Sequence, residues 1–195
     1  MSGNEVGRMT EAIHPGRVRA PAVFLDRDGV INEVVYRDGQ PGSPRDLTEF
    51  RFTHQVHETL SELACGGYRL FVVSNQPDVA RGLLSPEILQ SMTDRIRAEL
   101  PVDDVLICPH DDADACECRK PKPGLIDRVA PDLDISRSFL IGDSWKDIEA
   151  ARRGGVKAIL LSRDYNSGVS AEITARDLRA ATTLILAERV EERLA

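Results

Sequence analysis

The chain has 195 residues, enough for one domain of ordinary size, with 42% hydrophobic and 29% charged residues, a globular rather than disordered composition. Its formal net charge of −7 argues against a nucleic-acid partner, because phosphate backbones select basic surfaces. Its apolar runs, such as 158–161, are far too short to cross a bilayer, so no membrane partner is expected.

Residues 1–20 carry charges and Gly3, Gly7 and Gly16 around no apolar core, unlike a secretory signal. They are expected to form an N-terminal arm, with 21–195 as a single domain in the cytoplasm.

Strand-like and helical patterns then alternate along the chain. A short buried strand is expected at 22–25. A helix follows over 54–64, with Val56, Leu60 and Leu63 on one face and Gly66 and Gly67 as its stop. The second strand spans 69–74. Ser85, Pro86 and Glu87 supply a cap, a first-turn proline and a first-turn acid for a helix running to about Glu99. A third strand is expected at 104–108, a short helix at 124–130 and a fourth strand at 138–141. A helix over 145–153 is stopped by Gly154 and Gly155, and a fifth strand covers 156–161. The tail from Thr182 to Leu194 reads as a helix. This alternation predicts an α/β, Rossmann-like, doubly wound parallel sheet, with ligands beyond the carboxyl ends of the strands.

Four clusters follow predicted strands. Asp26 and Asp28 come directly after the first strand, with Gly29 permitting a sharp turn. An aspartate there can serve only as a turn former, but two acids in one place repel unless a cation sits between them. Ser74, Asn75 and Gln76 end the second strand, where a hydroxyl and backbone N–H groups suit a phosphate or merely a turn. Arg119, Lys120 and Lys122 lie in a loop stiffened by Pro121 and Pro123, either a solvated basic loop or a holder of fixed cations. Gly142 and Asp143 end the fourth strand, and Asp147 follows at a helix start, where it also suits the helix dipole. Separately, Cys108, His110, Cys116 and Cys118 cluster as Cys-x-His, five residues, then Cys-x-Cys, a pattern that favours a metal over disulfides.

The order Asp-x-Asp, Ser, Lys, Gly-Asp-x-x-x-Asp over residues 22 to 162 resembles the haloacid dehalogenase superfamily of phosphotransferases. Phe24-Leu25-Asp26-Arg27-Asp28-Gly29-Val30-Ile31-Asn32, Cys108-Pro109-His110 and Cys116-Glu117-Cys118-Arg119-Lys120-Pro121 are similar to its histidinol-phosphate and heptose bisphosphate phosphatase branch. Pro123-Gly124, 142–147 and 79–83 lean to the heptose side. The resemblance implies a haloacid dehalogenase fold without a large cap domain, since little chain separates Asn32 from Ser74, and with a zinc-binding loop. It implies a magnesium-dependent phosphatase acting as a monomer on a small phosphorylated sugar, removing the 7-phosphate of D-glycero-D-manno-heptose 1,7-bisphosphate. Histidinol phosphate is the alternative substrate, and a non-catalytic zinc-stabilised binding module the alternative of another class.

The residue roles the resemblance implies are as follows. Asp26 is the nucleophile and Asp28 the general acid and base. Asp26, Asp28 (through its backbone carbonyl) and Asp143 hold Mg2+. Lys120 offsets phosphoryl charge, and Ser74, Asn75, Gln76, Asn32 and Arg119 meet phosphate or substrate. Asp147 orients Lys120 or the metal ligands. Cys108, His110, Cys116 and Cys118 bind a structural Zn2+ in a closed tetrahedral site that fixes the loop carrying Arg119 and Lys120. The stretch 33–49, with Tyr36, Arg37 and Arg45, is expected to be a mobile specificity loop. Pro77, Asp78 and Ser144 depart from the usual pattern of the family and bear on substrate rather than chemistry.

Overall fold

The structure, a computed structural model, describes residues 19–194. Most of the expected N-terminal arm, 1–18, lies outside the described residues. Ala20, at its end, bridges to Leu133 beside the sheet.

Fourteen elements are named here in chain order: β1 (Ala22–Leu25), β2 (Val35–Arg37), β3 (Gln40–Gly42), α1 (Val56–Cys65), β4 (Arg69–Asn75), α2 (Pro77–Ala80), α3 (Pro86–Glu99), β5 (Asp104–Cys108), α4 (Gly124–Asp127), β6 (Phe139–Gly142), α5 (Trp145–Gly154), β7 (Lys157–Leu161), β8 (Ile173–Ala175) and α6 (Leu178–Leu194). The main sheet has the order β5-β4-β1-β6-β7-β8 and is parallel throughout. Counting only its strands, this is the doubly wound order 3-2-1-4-5-6, whose chain reverses direction between β1 and β6.

Both faces are covered, as parallel sheets require. Val23 and Leu25 of β1 join a buried cluster with Leu60 and Leu63 of α1, Met92 and Ile96 of α3, and Ile185 of α6. Ala22 and Phe24, pointing the other way, join a second cluster with Leu125 and Ile126 of α4 and Ala150 and Ala151 of α5. The period of two along β1 therefore feeds two cores at once. Each fully buried Leu, Ile or Phe contributes about 1.5–3 kcal/mol by leaving water.

The structure differs from the sequence reading at several places. α1 begins at Val56 rather than His54, because Gln55 takes a left-handed conformation (φ 59°). α6 begins four residues before Thr182, because Asp177 Oδ1 accepts from the Ala180 N–H at 2.7 Å and caps the first turn. β8 supplies a sixth strand, too short to show a periodicity.

Within the stretch 33–49, the expected specificity loop, Val35–Gly42 forms an antiparallel hairpin, β2–β3. Arg37 of the hairpin pairs with Glu49, and Arg45, in the loop after it, with Asp78 of α2 at 2.8 Å. Among the described residues, this hairpin and α1 are the only elements between β1 and β4, so no large cap covers the strand ends.

Candidate active site

Asp26 follows β1 and Asp143 follows β6, the two strands on either side of the reversal. The register pairs Leu25 with Ile141, and the Asp26 N–H donates to the Ile141 carbonyl at 2.9 Å. Two glycines make the approach feasible. Gly29 has φ +83°, and a Cβ there would stand 2.0 Å from Asp143 Oδ2. A Cβ on Gly142 would stand 2.3 Å from the Asp147 Cβ. Both positions exclude any side chain because aspartates occupy the space.

Lys120 arrives from the loop after β5. Its Nζ donates to Asp26 Oδ1 at 2.7 Å, to Asp147 Oδ1 at 2.6 Å and to the Val73 carbonyl at 2.9 Å, which uses all three ammonium hydrogens. Its backbone is latched to the end of β4: Asn75 Oδ1 accepts from Lys120 N at 3.0 Å and Asn75 Nδ2 donates to Lys120 O at 2.9 Å. Asp147 acts twice at the start of α5. Oδ1 takes Lys120, and Oδ2 closes a capping box with Ser144.

Asp28 is enclosed by donors. Arg27, fully buried, forks onto it through Nε at 3.0 Å and Nη2 at 2.9 Å. Asn32 Nδ2 donates to Oδ1 at 2.9 Å, and Oδ2 accepts from Gln76 Nε2 at 2.7 Å and Ser43 Oγ at 2.8 Å. Asn32 and Gln76, expected at the substrate, are fully buried, and each gives one amide hydrogen to Asp28 and another to a neighbour, Asn32 to the Glu33 carbonyl and Gln76 to Ser74. Their side-chain oxygens are buried without a hydrogen-bond partner. Such orphaned acceptors cost about 1–3 kcal/mol each and are tolerated where an arrangement serves function rather than stability. Ser74 is also buried, and its Oγ accepts from Gln76 Nε2 at 2.8 Å.

The electrostatics follow from burial. Burial raises the Asp26 carboxyl well above its usual range. Lys120 opposes this, while Asp147, Asp143 and Asp28 add to it by repulsion. Burial also pushes Asp143 up to about 6, against a hydrogen bond from Tyr165. Burial works against ionised Asp28 too, yet Arg27, Asn32, Ser43 and Gln76 together hold it below its ordinary value. Lys120 resists the effect of burial because Asp147 and Asp26 flank it, and it stays above the usual lysine range.

Buried carboxylates that resist ionisation form the donor set a hard dication relieves. Asp26, Asp143 and Asp147 each bring a carboxylate oxygen within 4.8 Å of the others. With Asp147 committed to Lys120 and Ser144, Asp26 and Asp143 are the two that could hold a cation.

The second cluster forms beside it. Cys108 Sγ lies 3.6 Å from both His110 Nδ1 and Cys116 Sγ, and Cys118 Sγ lies 3.3 Å from His110 Nδ1 and 3.5 Å from Cys116 Sγ. Tetrahedral zinc with bonds of about 2.0–2.3 Å separates its ligands by roughly these distances. All four cysteines of the chain are free of disulfides. Burial pushes the Cys108 thiol up to about 12. At Cys116 burial acts the same way, but hydrogen bonds with Cys118 and Cys108 bring the thiol down to about 7.

The loop between this cluster and Lys120 is braced by its own cations. Lys122 Nζ donates to the Cys116 carbonyl at 2.8 Å, and Arg119 donates to the His110 carbonyl at 3.2 Å and pairs with Asp112 at 2.7 Å. Lys122 therefore braces the cysteine loop, whereas Arg119 also lines the cavity.

That cavity, about 400 Å³, is lined by Asp26, Asp28, Asn75, Arg119, Lys120 and Asp143, with Trp145, Lys146 and Tyr165 at its wall. Sequence reasoning missed Arg27, Ser43, Tyr165 and Asn166. The left-handed turn at Gly29 and the Arg-Asp pair flanking it were the only local signals for Arg27, and the others arrive from distant loops.

The family model described as HAD-hydrolase-like matches residues 117–188. The chain is 40% identical over 152 residues to the D-glycero-beta-D-manno-heptose-1,7-bisphosphate 7-phosphatase of Rhodopseudomonas palustris, covering 71% of this chain and 81% of the relative. It is 35% identical to the D-glycero-alpha-D-manno-heptose-1,7-bisphosphate 7-phosphatase of Photorhabdus laumondii, covering 71% and 80%. The crystal structure of the D,D-heptose 1,7-bisphosphate phosphatase of B. bronchiseptica, complexed with magnesium and phosphate, superposes with a TM-score of 0.75 at 27% identity, covering 86% of this chain and 99% of that one. With its acids and lysine gathered at the reversal of a parallel sheet, the chain belongs to the HAD-like phosphatase family that contains the heptose-1,7-bisphosphate 7-phosphatases.

Proposed function

We propose that the chain hydrolyses the 7-phosphate of D-glycero-D-manno-heptose 1,7-bisphosphate through a phosphoryl-aspartate on Asp26. The observation that carries this reading is the convergence of Asp26, Asp143 and Lys120 at one end of the sheet, beside an open cavity.

The carboxylate of Asp26 attacks phosphorus, and the bond to the sugar oxygen breaks. Lys120 holds positive charge against Asp26 and the transferring group, fixed by Asp147 before substrate arrives. Asp28 stands in the same cavity with its carboxylate oriented by six donor contacts from Arg27, Asn32, Ser43 and Gln76. An arriving phosphate adds negative charge beside it and raises its affinity for the proton that the leaving oxygen needs. Once that proton is given, the ionised Asp28 that these donors favour takes a proton from water. The water then hydrolyses the acyl phosphate and regenerates Asp26. Asn75 at the end of β4 and Arg119 across the cavity line the space that phosphate oxygens enter, and Ser74, buried behind them, holds Gln76. Magnesium, held by Asp26, Asp143 and the Asp28 carbonyl, supplies the charge that lets an anionic nucleophile approach an anionic phosphate. Cys108, His110, Cys116 and Cys118 would hold a zinc ion, which would fix the loop that delivers Arg119 and Lys120.

Phosphate release with magnesium from the α and β anomers of the bisphosphate and from histidinol phosphate tests the reading. A large kcat/KM preference for a heptose bisphosphate is expected, and Asp26→Asn should abolish turnover while leaving the thermal unfolding curve in place. Faster turnover of histidinol phosphate would reassign the substrate, and activity retained by Asp26→Asn would remove the nucleophile.

A further inference from the structure

The loop after β7 is tied to the site at three points. Asn166 Nδ2 donates to the backbone carbonyl of Asp143 at 2.7 Å and to that of Leu161 at 2.8 Å. Arg163 Nη2 donates to the Gly29 carbonyl at 2.8 Å. Between them, in the turn Asp164–Asn166, the Tyr165 hydroxyl donates to Asp143 Oδ2. The tyrosine ring is held in turn by an edge contact with Tyr36 of β2, with centroids 6.4 Å apart at 66°. Gly29 makes the room: a Cβ there would meet Asp143 Oδ2 at 2.0 Å and the Tyr165 hydroxyl at 2.8 Å. The absent side chain thus vacates the volume that this one hydrogen bond fills. Asp143 is gripped at its backbone and at one carboxylate oxygen by two adjacent residues of a segment that carries no other part of the acid and lysine cluster.

We infer that Tyr165, with Asn166 behind it, is a positioning residue that aims the remaining carboxylate oxygen of Asp143 at the divalent cation and thereby sets the cation affinity of the site. The inference rests on reading Asp26 and Asp143 as that cation's ligands. A carboxylate with one oxygen held by a fixed donor loses little orientational freedom on binding a metal, and removing such outer partners from metal ligands typically costs about 10–100-fold in affinity. Because the hydroxyl is given to Asp143, its loss acts on magnesium affinity rather than on the chemical step.

The test is calorimetric titration of Mg2+ into the zinc-loaded, magnesium-free protein for wild type, Tyr165→Phe and Asp143→Asn. Phenylalanine keeps the ring against Tyr36 and deletes only the hydroxyl. The expected result is a Kd for Mg2+ raised about tenfold or more in Tyr165→Phe, loss of the binding heat in Asp143→Asn, and a kcat for Tyr165→Phe that recovers at saturating magnesium. A Tyr165→Phe Kd within twofold of wild type, or tighter, overturns the inference while the cation site stands. A fall in kcat that magnesium does not rescue also overturns it. If wild type shows no binding that Asp143→Asn removes, the cation reading itself falls, and the role of Tyr165 with it.

Discussion

Lys120 Nζ lies 2.6 Å from Asp147 Oδ1 in a position where both side chains are almost wholly withdrawn from solvent. The same ammonium reaches Asp26 at 2.7 Å, so one cation is shared between a carboxylate that caps a helix and one that faces the cavity. Neither local motif requires the other. The loop after β5 brings them together.

Replacing Lys120 by Met removes that cation and leaves two buried carboxylates facing each other. A kcat lower by about 10²–10³ is expected, as for loss of a group that stabilises developing charge. Stability should fall by about 3–5 kcal/mol, the usual cost of breaking a buried ion pair by deleting one partner. Steady-state kinetics at saturating magnesium and denaturant unfolding measure the two effects on the same preparation.

The Arg27–Asp28 pair predicts a pH-dependent stability difference. Asp28 sits below its ordinary pKa in the folded protein, so its contribution is present above the unfolded-state value, about 3.9, and is lost as pH falls through the folded value. Asp28→Asn leaves the fully buried Arg27 without its counter-ion and should cost about 3–5 kcal/mol at pH 7.5. The gap to wild type should narrow as the pH is lowered below about 4, as wild-type Asp28 becomes neutral as well. Urea unfolding of the magnesium-free proteins at several pH values measures it, and a gap independent of pH would remove the ionised Asp28 from the account.

Zinc removal should act through Lys120 rather than through the cavity itself. Cys118→Ser is expected to lower zinc content and thermal stability together, because ligand binding to the folded state is part of its folding free energy. Turnover lost in this way should not return on adding magnesium. Metal analysis beside a phosphate-release assay distinguishes it from simple magnesium depletion, in which magnesium alone restores activity.

Gly142→Ala adds one methyl group where the Asp147 side chain already stands. Forced overpacking of this kind costs about 1–3 kcal/mol. It should also displace Asp147 from Lys120, so that kcat falls with stability. An alanine variant with wild-type melting temperature and kcat would show that β6 and α5 are spaced more loosely than the structure has them.

Much of this protein was legible before any coordinates. Apolar runs of four to seven residues, each followed by a helical pattern, specify a parallel sheet, and an acid placed directly after such a run has only the carboxyl edge of that sheet to occupy. That reasoning placed Asp26 and Asp143 at strand ends, Lys120 was read from the proline-stiffened basic loop and the family resemblance, and the spacing of three cysteines and a histidine marked the second cluster. What surrounds them was hidden. Ser43, Gln76 and Asn32 converge on Asp28 from three segments, Tyr165 and Asn166 grip Asp143 from a loop more than twenty residues downstream, and Arg45, in the loop after the hairpin, pairs with Asp78 of α2. Local sequence determined which residues stand at strand ends, because strand periodicity and turn chemistry are properties of neighbours along the chain. Only the tertiary structure decided which donor meets which carboxylate. Those partners are chosen by the packing of segments far apart in sequence, and in a buried site the choice of partner sets the charge each carboxylate carries.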